Sequence, residues 1–336
     1  MINNKRNFII ISFIIVFVVI LFSLSQGIYN IDNLTIIKII FSKIFPITKT
    51  WSNEQELVLM QVRLPRIFLV CFVGANLAVS GSVLQAVFKN PLVSPFILGI
   101  SSGASLGASI IIVFFNVYNS YLLQLSAFSF SLLAVFLVIG ISKIFGNTNT
   151  VILILSGVIV SSFFSSIVSL LQYFSETDKL QAIIFWIFGS FSNANWEGVW
   201  QVAPLTLIGS LILILVSWKI NVISLGDQQS DSLGIDSKKF RIFLIVIVSL
   251  MTSSAVAIVG PIGWVGLIIP HIIRMLLGAN NFYVLLGSIS LGISFLLLID
   301  IISRNSLSVE IPIGIVTSIF GAPFFIYILS RSKYNF

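Results

Sequence analysis

Two side chains of this sequence have the types and spacing of a catalytic pair. Ser105 lies in Gly103-Ala104-Ser105-Leu106-Gly107, the G-x-S-x-G spacing of a serine hydrolase nucleophile, and His271 is the single histidine that could act as its base. That chemistry needs a strand feeding a sharp turn, and the sequence offers none. Gly99, Gly103 and Gly107 instead recur every four residues, as do Ala104 and Ala108, which is the small face that lets two membrane helices approach closely. Helix packing is the preferred reading, and the serine motif falls out of the glycine stripe. One cysteine, Cys71, permits no internal disulfide, and one histidine leaves no set of soft ligands for zinc or copper. No G-x-x-x-x-G-K-[ST] occurs, so energy from ATP would have to come through another polypeptide. The residues point away from an enzyme, a metal site and a resident cofactor.

Other polar positions are suited to binding. Arg63 and Arg66 bracket Leu64-Pro65 at the start of one apolar run, and Arg304 ends another. An arginine in mid-bilayer costs about 2.5–3.5 kcal/mol on insertion scales, so arginines at run ends are expected of membrane anchors. The second reading is that these forked donors await the carboxylates of a soluble partner. Ser162, Ser165, Ser166 and Ser169 fall at helical spacing on one side of their run, while Val160, Phe164 and Ile167 take other faces. Packing against another helix and lining a wettable cavity both fit that stripe. The longest polar insert, 226–239, has Asp227 where it could cap a short helix and Gly234 where it could end one. A two-turn helix lying across the membrane face is expected, with a docking surface as the alternative to a plain connection. His271, three residues from Arg274, is read as structural rather than as a proton relay.

These side chains must be carried by membrane helices. Only 29 of 336 residues are charged, 57% are hydrophobic and 30 are Phe, with a mean hydropathy of +1.11, whereas a soluble globular protein has roughly 25% charged residues. No compact soluble body of this size could hide so much apolar surface. The net charge of +7 comes from residues placed singly between apolar runs, with no basic and aromatic cluster to follow phosphates, so nucleic acid is not a partner. A bilayer core asks for about 20 apolar residues per helix. Ten runs answer that description, at 8–26, 64–87, 95–115, 122–142, 150–172, 199–218, 240–260, 264–278, 282–302 and 312–330. Ser94-Pro95 reads as a cap with proline in the first turn of the third, and Thr148-Asn149-Thr150 precedes the fifth. Gly260-Pro261-Ile262-Gly263 breaks the chain before the eighth, which is too short to span alone. The first run follows Lys5-Arg6 and precedes Ser23-Leu24-Ser25; an uncleaved anchor is preferred to a signal peptide because the run is long and makes the number of spans even.

Orientation follows from Lys and Arg. With the N-terminus cytoplasmic, Lys5, Arg6, Lys89, Lys143, Lys219, Lys238, Lys239, Arg241, Arg274, Arg331 and Lys333 lie inside, eleven of the eighteen basic residues. Both termini are then cytoplasmic, Arg63, Arg66 and Arg304 converge outside, and 227–236 lies inside. Asp300 and Glu310 sit near span ends and no acid lies mid-span, which argues against an ion-coupled secondary transporter.

Several blocks along nearly the whole chain carry a family resemblance. They are Arg63-Leu64-Pro65-Arg66, Gly74-Ala75-Asn76-Leu77-Ala78-Val79-Ser80-Gly81, Gln85, Asn90-Pro91-Leu92 with Pro95, and Leu98-Gly99 through Gly107; then Gly260-Pro261-Ile262-Gly263-Trp264-Val265-Gly266-Leu267 with Pro270-His271 and Arg274; and Arg304, Glu310-Ile311-Pro312-Ile313-Gly314 and Gly321-Ala322-Pro323-Phe324-Phe325. In order and spacing the chain resembles the permease subunits of the iron-siderophore and cobalamin ABC importers, the FecCD-type or type II importers. The resemblance implies a single all-α polytopic membrane domain of ten transmembrane helices. It also implies a second permease subunit, identical or sibling, two cytoplasmic ATPase subunits and an extracytoplasmic substrate-binding protein. Under it, Arg63, Arg66 and Arg304 would meet glutamates of the binding protein. The 227–236 segment, with Asp227, Asp231, Ser232, Leu233 and Gly234, would be the coupling helix seated in the ATPase, although Gln228-Gln229-Ser230-Asp231-Ser232 is more polar than the family's alanine-containing pattern. Asn90, Pro91 and Leu92 would close the cytoplasmic end of the path, and the 150–172 and 312–330 helices would line it, which favours the cavity reading of the serine stripe. The expected cargo is an iron chelate, a ferric siderophore first, with haem or cobalamin behind.

Overall fold

The computed structural model describes residues 2–27, 29–115, 120–145, 150–306 and 309–331, and among these the regular structure is helical. In chain order the helices are α1 (Ile2–Ser25), α2 (Asn33–Ser42), α3 (Asn53–Leu57), α4 (Leu64–Phe88), α5 (Ile100–Phe114), α6 (Ser120–Ile144), α7 (Thr150–Phe174), α8 (Thr177–Phe188), α9 (Trp196–Leu215), α10 (Ser217–Leu225), α11 (Asp227–Ser232), α12 (Ser237–Val259), α13 (Val265–Leu277), α14 (Asn281–Asn305) and α15 (Ile313–Arg331). Among the described residues seven stretches are long and apolar enough to cross a membrane, and α5, α13 and α15 are shorter apolar helices that fall on the remaining three expected runs. The protein is a multi-pass membrane protein with the expected all-α polytopic fold. The caps expected at Thr148-Asn149, and Lys333, lie outside the described residues.

The centre is α4, which packs against α9, α12, α13 and α14, while α5 leans on α6 and α7 and α1 lies along α14. Its near-complete burial follows from its small residues. A Cβ added at Gly74 would sit 2.6 Å from the Gly292 carbonyl oxygen, and one at Gly292 would sit 2.5 Å from that of Gly74, so the two backbones touch where α4 and α14 cross. Mid-helix, the Asn76 amide donates to Thr206 Oγ1 and to the Met251 carbonyl, each at 2.8 Å, tying α4 to α9 and α12. The α5 stripe does the same against α6: a Cβ on Gly107 would lie 2.5 Å from the Ser126 carbonyl, while Ser105 is buried. The G-x-S-x-G pattern is therefore a packing face.

Four local features depart from the expected boundaries. The second span begins earlier, because a π-helical turn, Val58–Arg63, joins α3 to α4 without interruption. Pro65 has no N–H, and the widened turn, in which the Leu64 N–H reaches the Leu59 carbonyl, accommodates it. Arg63 is thus inside a continuous helix. The third run is split, with a 3-10 turn at Pro95–Leu98, Gly99 in the left-handed region at φ 79° and α5 beyond it; Ser94 makes no side-chain cap. The sixth run continues past a break at Val216 into α10. Asp227 occupies the first position inside α11, and Gly226, at φ 137°, stands in the cap position. The break at 260–263 is as expected, and α13 has 13 residues, about 20 Å of helix.

Candidate functional site

At the N-terminal end of α4 the three arginines do come together, around two carboxylates. The inner edge of the Arg66 guanidinium donates from Nε (3.0 Å) and Nη2 (2.9 Å) to Asp300 Oδ1 on α14. Its outer edge donates from Nη1 (2.7 Å) and Nη2 (3.0 Å) to Glu310 Oε1 and Oε2. Asp300 Oδ2 lies 3.5 Å from Arg304 Nε, one helical turn later on α14. Arg304 Nη2 also donates to the carbonyl and hydroxyl of Ser23, at 2.9 and 2.7 Å, clasping the end of α1. Arg63 is held by backbone carbonyls instead: Nη1 donates to that of Leu24 at 2.8 Å and Nη2 to that of Tyr29.

Burial divides this cluster into fixed and accessible parts. Arg63, Arg66 and Arg304 are 4%, 6% and 7% exposed and Asp300 is 0% exposed, while the Glu310 side chain is 33% exposed. The guanidiniums are therefore neither lipid-snorkelling anchors nor free surface donors, because groups of this chain already occupy them. Glu310 is carried by the link between α14 and α15, which is pinned by Ile311 N–H to Ser303 carbonyl (3.1 Å), Ser303 hydroxyl to Ile311 carbonyl (2.6 Å) and Ile313 N–H to Gly189 carbonyl (3.1 Å). Burial opposes its ionisation, but the Arg66 hydrogen bonds and charge, the Ser192 hydroxyl and the Arg304 charge hold its carboxyl below the usual carboxylate range. Ser192 Oγ donates to Glu310 Oε2 at 3.1 Å and is itself 2.5 Å from Ser190 Oγ. Behind these groups opens a cavity of about 870 Å³ whose lining includes Asp178, Lys179, Trp186, Ser190, Ser192 and Glu310. The α8 wall of this cavity was not foreseen in the sequence.

The second polar assembly lies at the other end of α4. Lys89 closes α4 in the left-handed region, and a Cβ on Gly226 would lie 3.2 Å from Lys89 Nζ, so α11 begins beside it. Arg66 and Lys89 are 23 residues apart on one helix, about 35 Å at 1.5 Å per residue, or roughly a bilayer. Asn90 N–H bonds back to the Gln85 carbonyl (3.2 Å) and Asn90 Oδ1 accepts from Leu92 N–H (2.9 Å), which folds Asn90, Pro91 and Leu92 into a tight turn. In α11, Ser230 is buried, its hydroxyl bonding the Val222 and Gly226 carbonyls. Asp227 pairs with buried Arg241 on α12, and Asp231 accepts from Ser237 N–H at 3.0 Å. Gly234, at φ 80°, ends the turn, and Asp236 caps α12, its carboxyl held low by the Lys239 N–H and ammonium. α11 leaves Gln228, Gln229, Asp231 and Ser232 outward, with exposed Leu233 at its end beside Leu225.

Ser162, Ser165, Ser166 and Ser169 all lie on the exposed side of α7 with Phe163 and Leu170, opposite the buried Val160, Phe164 and Val168. His271 packs edge-on to Phe325, ring centroids 5.9 Å apart, in α13. Among the described residues no three His, Cys, Asp or Glu side chains gather where a metal ion could be held.

Comparison with known proteins agrees with this architecture. The chain is 43% identical over 286 residues to the Haemophilus influenzae "Molybdate import system permease protein MolB", covering 84% of each chain. It is 40% identical over 281 residues to the Helicobacter pylori "Probable iron chelatin transport system permease protein", covering 84% of this chain and 85% of that one. A solved inward-facing structure described as a metal-chelate type ABC transporter superposes with a TM-score of 0.86 at 37% identity, over 97% of this chain and 99% of the other. Residues 14–331 match the FecCD transport family, so the chain belongs to that family as a non-catalytic permease subunit of the metal-chelate, siderophore and cobalamin type of ABC importer.

Proposed function

We propose that this permease passes an iron chelate, a ferric siderophore first, from an extracytoplasmic binding protein across the cytoplasmic membrane. A second permease subunit completes the path and two ATPase subunits on the cytoplasmic side drive it. The observation that supports this most is the exposed face of α7. Its four serines carry hydroxyls and the helix carries no charge, which suits a wall that a bulky chelate slides along without binding tightly. Small residues at helical spacing also let another helix approach closely, so a second subunit is a natural neighbour of this face. Both termini are assigned to the cytoplasm. The end with Arg63, Arg66 and Arg304 is then the docking end for binding-protein carboxylates, and α11, with Asp227, Asp231, Ser232, Leu233 and Gly234, contacts the ATPase. ATP-driven closure of the ATPases would shift α11 and switch the path between outward and inward openings, with Asn90, Pro91 and Leu92 closing its inner end.

A second cargo reading, molybdate, is supported by the 43% identical relative. Haem and cobalamin are further cargoes of the chelate's bulk. Proteoliposomes holding the permease, its ATPase and its binding protein decide among them. ATP-dependent uptake of radioactive iron as a ferric siderophore, with molybdate left outside, is expected; uptake of molybdate alone would overturn the iron assignment.

A further inference from the structure

Arg66 is held by two carboxylates that differ in every respect that matters for exchange. Asp300 takes the inner edge, Nε and Nη2, and is fully buried on α14. Glu310 takes the outer edge, Nη1 and Nη2, and is one-third exposed. Three guanidiniums and two carboxylates gather here, with Arg63 on backbone carbonyls, leaving one positive charge in excess. The outer edge of Arg66 is also the edge a carboxylate arriving from outside would use, because a guanidinium offers parallel N–H pairs to one carboxylate at a time per edge. Glu310 therefore covers the group that the docking reading requires to be reached.

We infer that Glu310 is a displaceable internal competitor, occupying the outer edge of Arg66 until a carboxylate of the binding protein takes its place. This rests on the docking reading above and adds how that surface is regulated. Side-chain rotation is enough for displacement, since the backbone immediately after Glu310 is pinned at Ile311 and Ile313. The carboxylate has somewhere to go: it already accepts from the Ser192 hydroxyl, beside Ser190, and it borders the cavity that Lys179 lines. Asp300 stays in place and keeps Arg66 and Arg304 aligned while the outer edge changes partners. Exchanging one carboxylate for another leaves the number of ion pairs on Arg66 unchanged, so docking is readily reversible, as a binding protein that must leave after delivery requires.

The test uses the full permease with its ATPase subunits in nanodiscs and measures affinity for the substrate-loaded binding protein. Glu310→Gln removes the competing charge and should tighten docking about tenfold, equivalent to about 1.4 kcal/mol. Glu310→Asp, which keeps the charge but is one methylene too short for the two-point contact, should tighten it in the same direction and serves if the Gln variant does not fold. Arg66→Lys, which loses the fork, should weaken docking, and adding Glu310→Gln to it should restore nothing. If Arg66→Lys weakens docking while both Glu310 variants leave it unchanged or weaker, the competitor role is overturned and the docking reading stands. If Arg66→Lys has no effect, the docking reading fails and the competitor role fails with it.

Discussion

Replacing Asp300 with Asn is the perturbation that most directly probes the arginine cluster. The carboxylate is fully buried, accepts two hydrogen bonds from Arg66 and neutralises Arg304 at 3.5 Å. An amide of the same shape can still accept at one atom, but its other end is a donor that would face Arg304 Nε, and the charge is gone. Glu310, paired with Arg66, would then be the carboxylate left beside three buried guanidiniums. Breaking a buried ion pair by removing one partner costs about 3–5 kcal/mol. Glu310 still holds the outer edge of Arg66, so a loss near the lower end, about 3 kcal/mol, is expected, a more than hundredfold fall in the folded-to-unfolded ratio. Equilibrium unfolding in mixed micelles with rising SDS fraction reads this directly. A loss below about 1 kcal/mol for Asp300→Asn would refute the claim that this carboxylate organises the cluster.

Further outcomes follow from the same geometry. Gly107→Val should destabilise the chain by about 1–3 kcal/mol in that unfolding assay, since its Cβ would meet the Ser126 carbonyl and push α5 off α6. Changing Ser162, Ser165, Ser166 and Ser169 together to Ala should leave stability within about 0.5 kcal/mol, because the side chains are exposed, yet alter the uptake rate severalfold. Glu310 titrates below the usual carboxylate range, so its folded pKa is depressed: its contribution is complete above about pH 5 and is lost as pH falls through the folded value. The stability difference between the native chain and Glu310→Gln should therefore be flat from about pH 7 to about pH 5 and shrink only at lower pH. Leu233→Asp should impair co-purification of the ATPase without lowering stability, as the side chain is exposed at the end of α11.

The apolar runs were legible because lipid allows so few ways of satisfying a backbone, and every one of the ten corresponds to helix in the structure. The α5 glycine stripe was legible for a related reason: a four-residue spacing of small residues has one geometric meaning, and Gly103 and Gly107 both abut the α6 backbone. What the runs hid was structure too short or too polar to register as a span. The α3 start carries a capping box, with Ser52 and Gln55 bonding each other's N–H groups at 3.1 and 3.0 Å, and the S-x-x-Q spacing was there to be read. Asp32 before α2 is a similar signal. The split at Gly99 was not readable, because a glycine in a small-residue stripe looks the same whether it packs or turns.

The arginines show a different limit. Their convergence could be inferred from span polarity, but their burial could not, since it depends on α1, α14 and the α14–α15 link closing around them. Asp300 and Arg304 are one turn apart, which is a pairing signal along a helix. The Arg66–Glu310 contact spans 244 residues of sequence, and nothing local announces it.

In the proposed orientation the carboxylate-bearing link between α14 and α15 lies outside the cell and α11 inside. Cysteines introduced at Val309 and Leu233, both exposed, in a Cys71→Ser background test this with a membrane-impermeant thiol reagent on intact cells. Labelling of Val309→Cys in intact cells, with Leu233→Cys reacting only after permeabilisation, is the predicted result. Both positions reacting from the same side of the membrane would contradict the account.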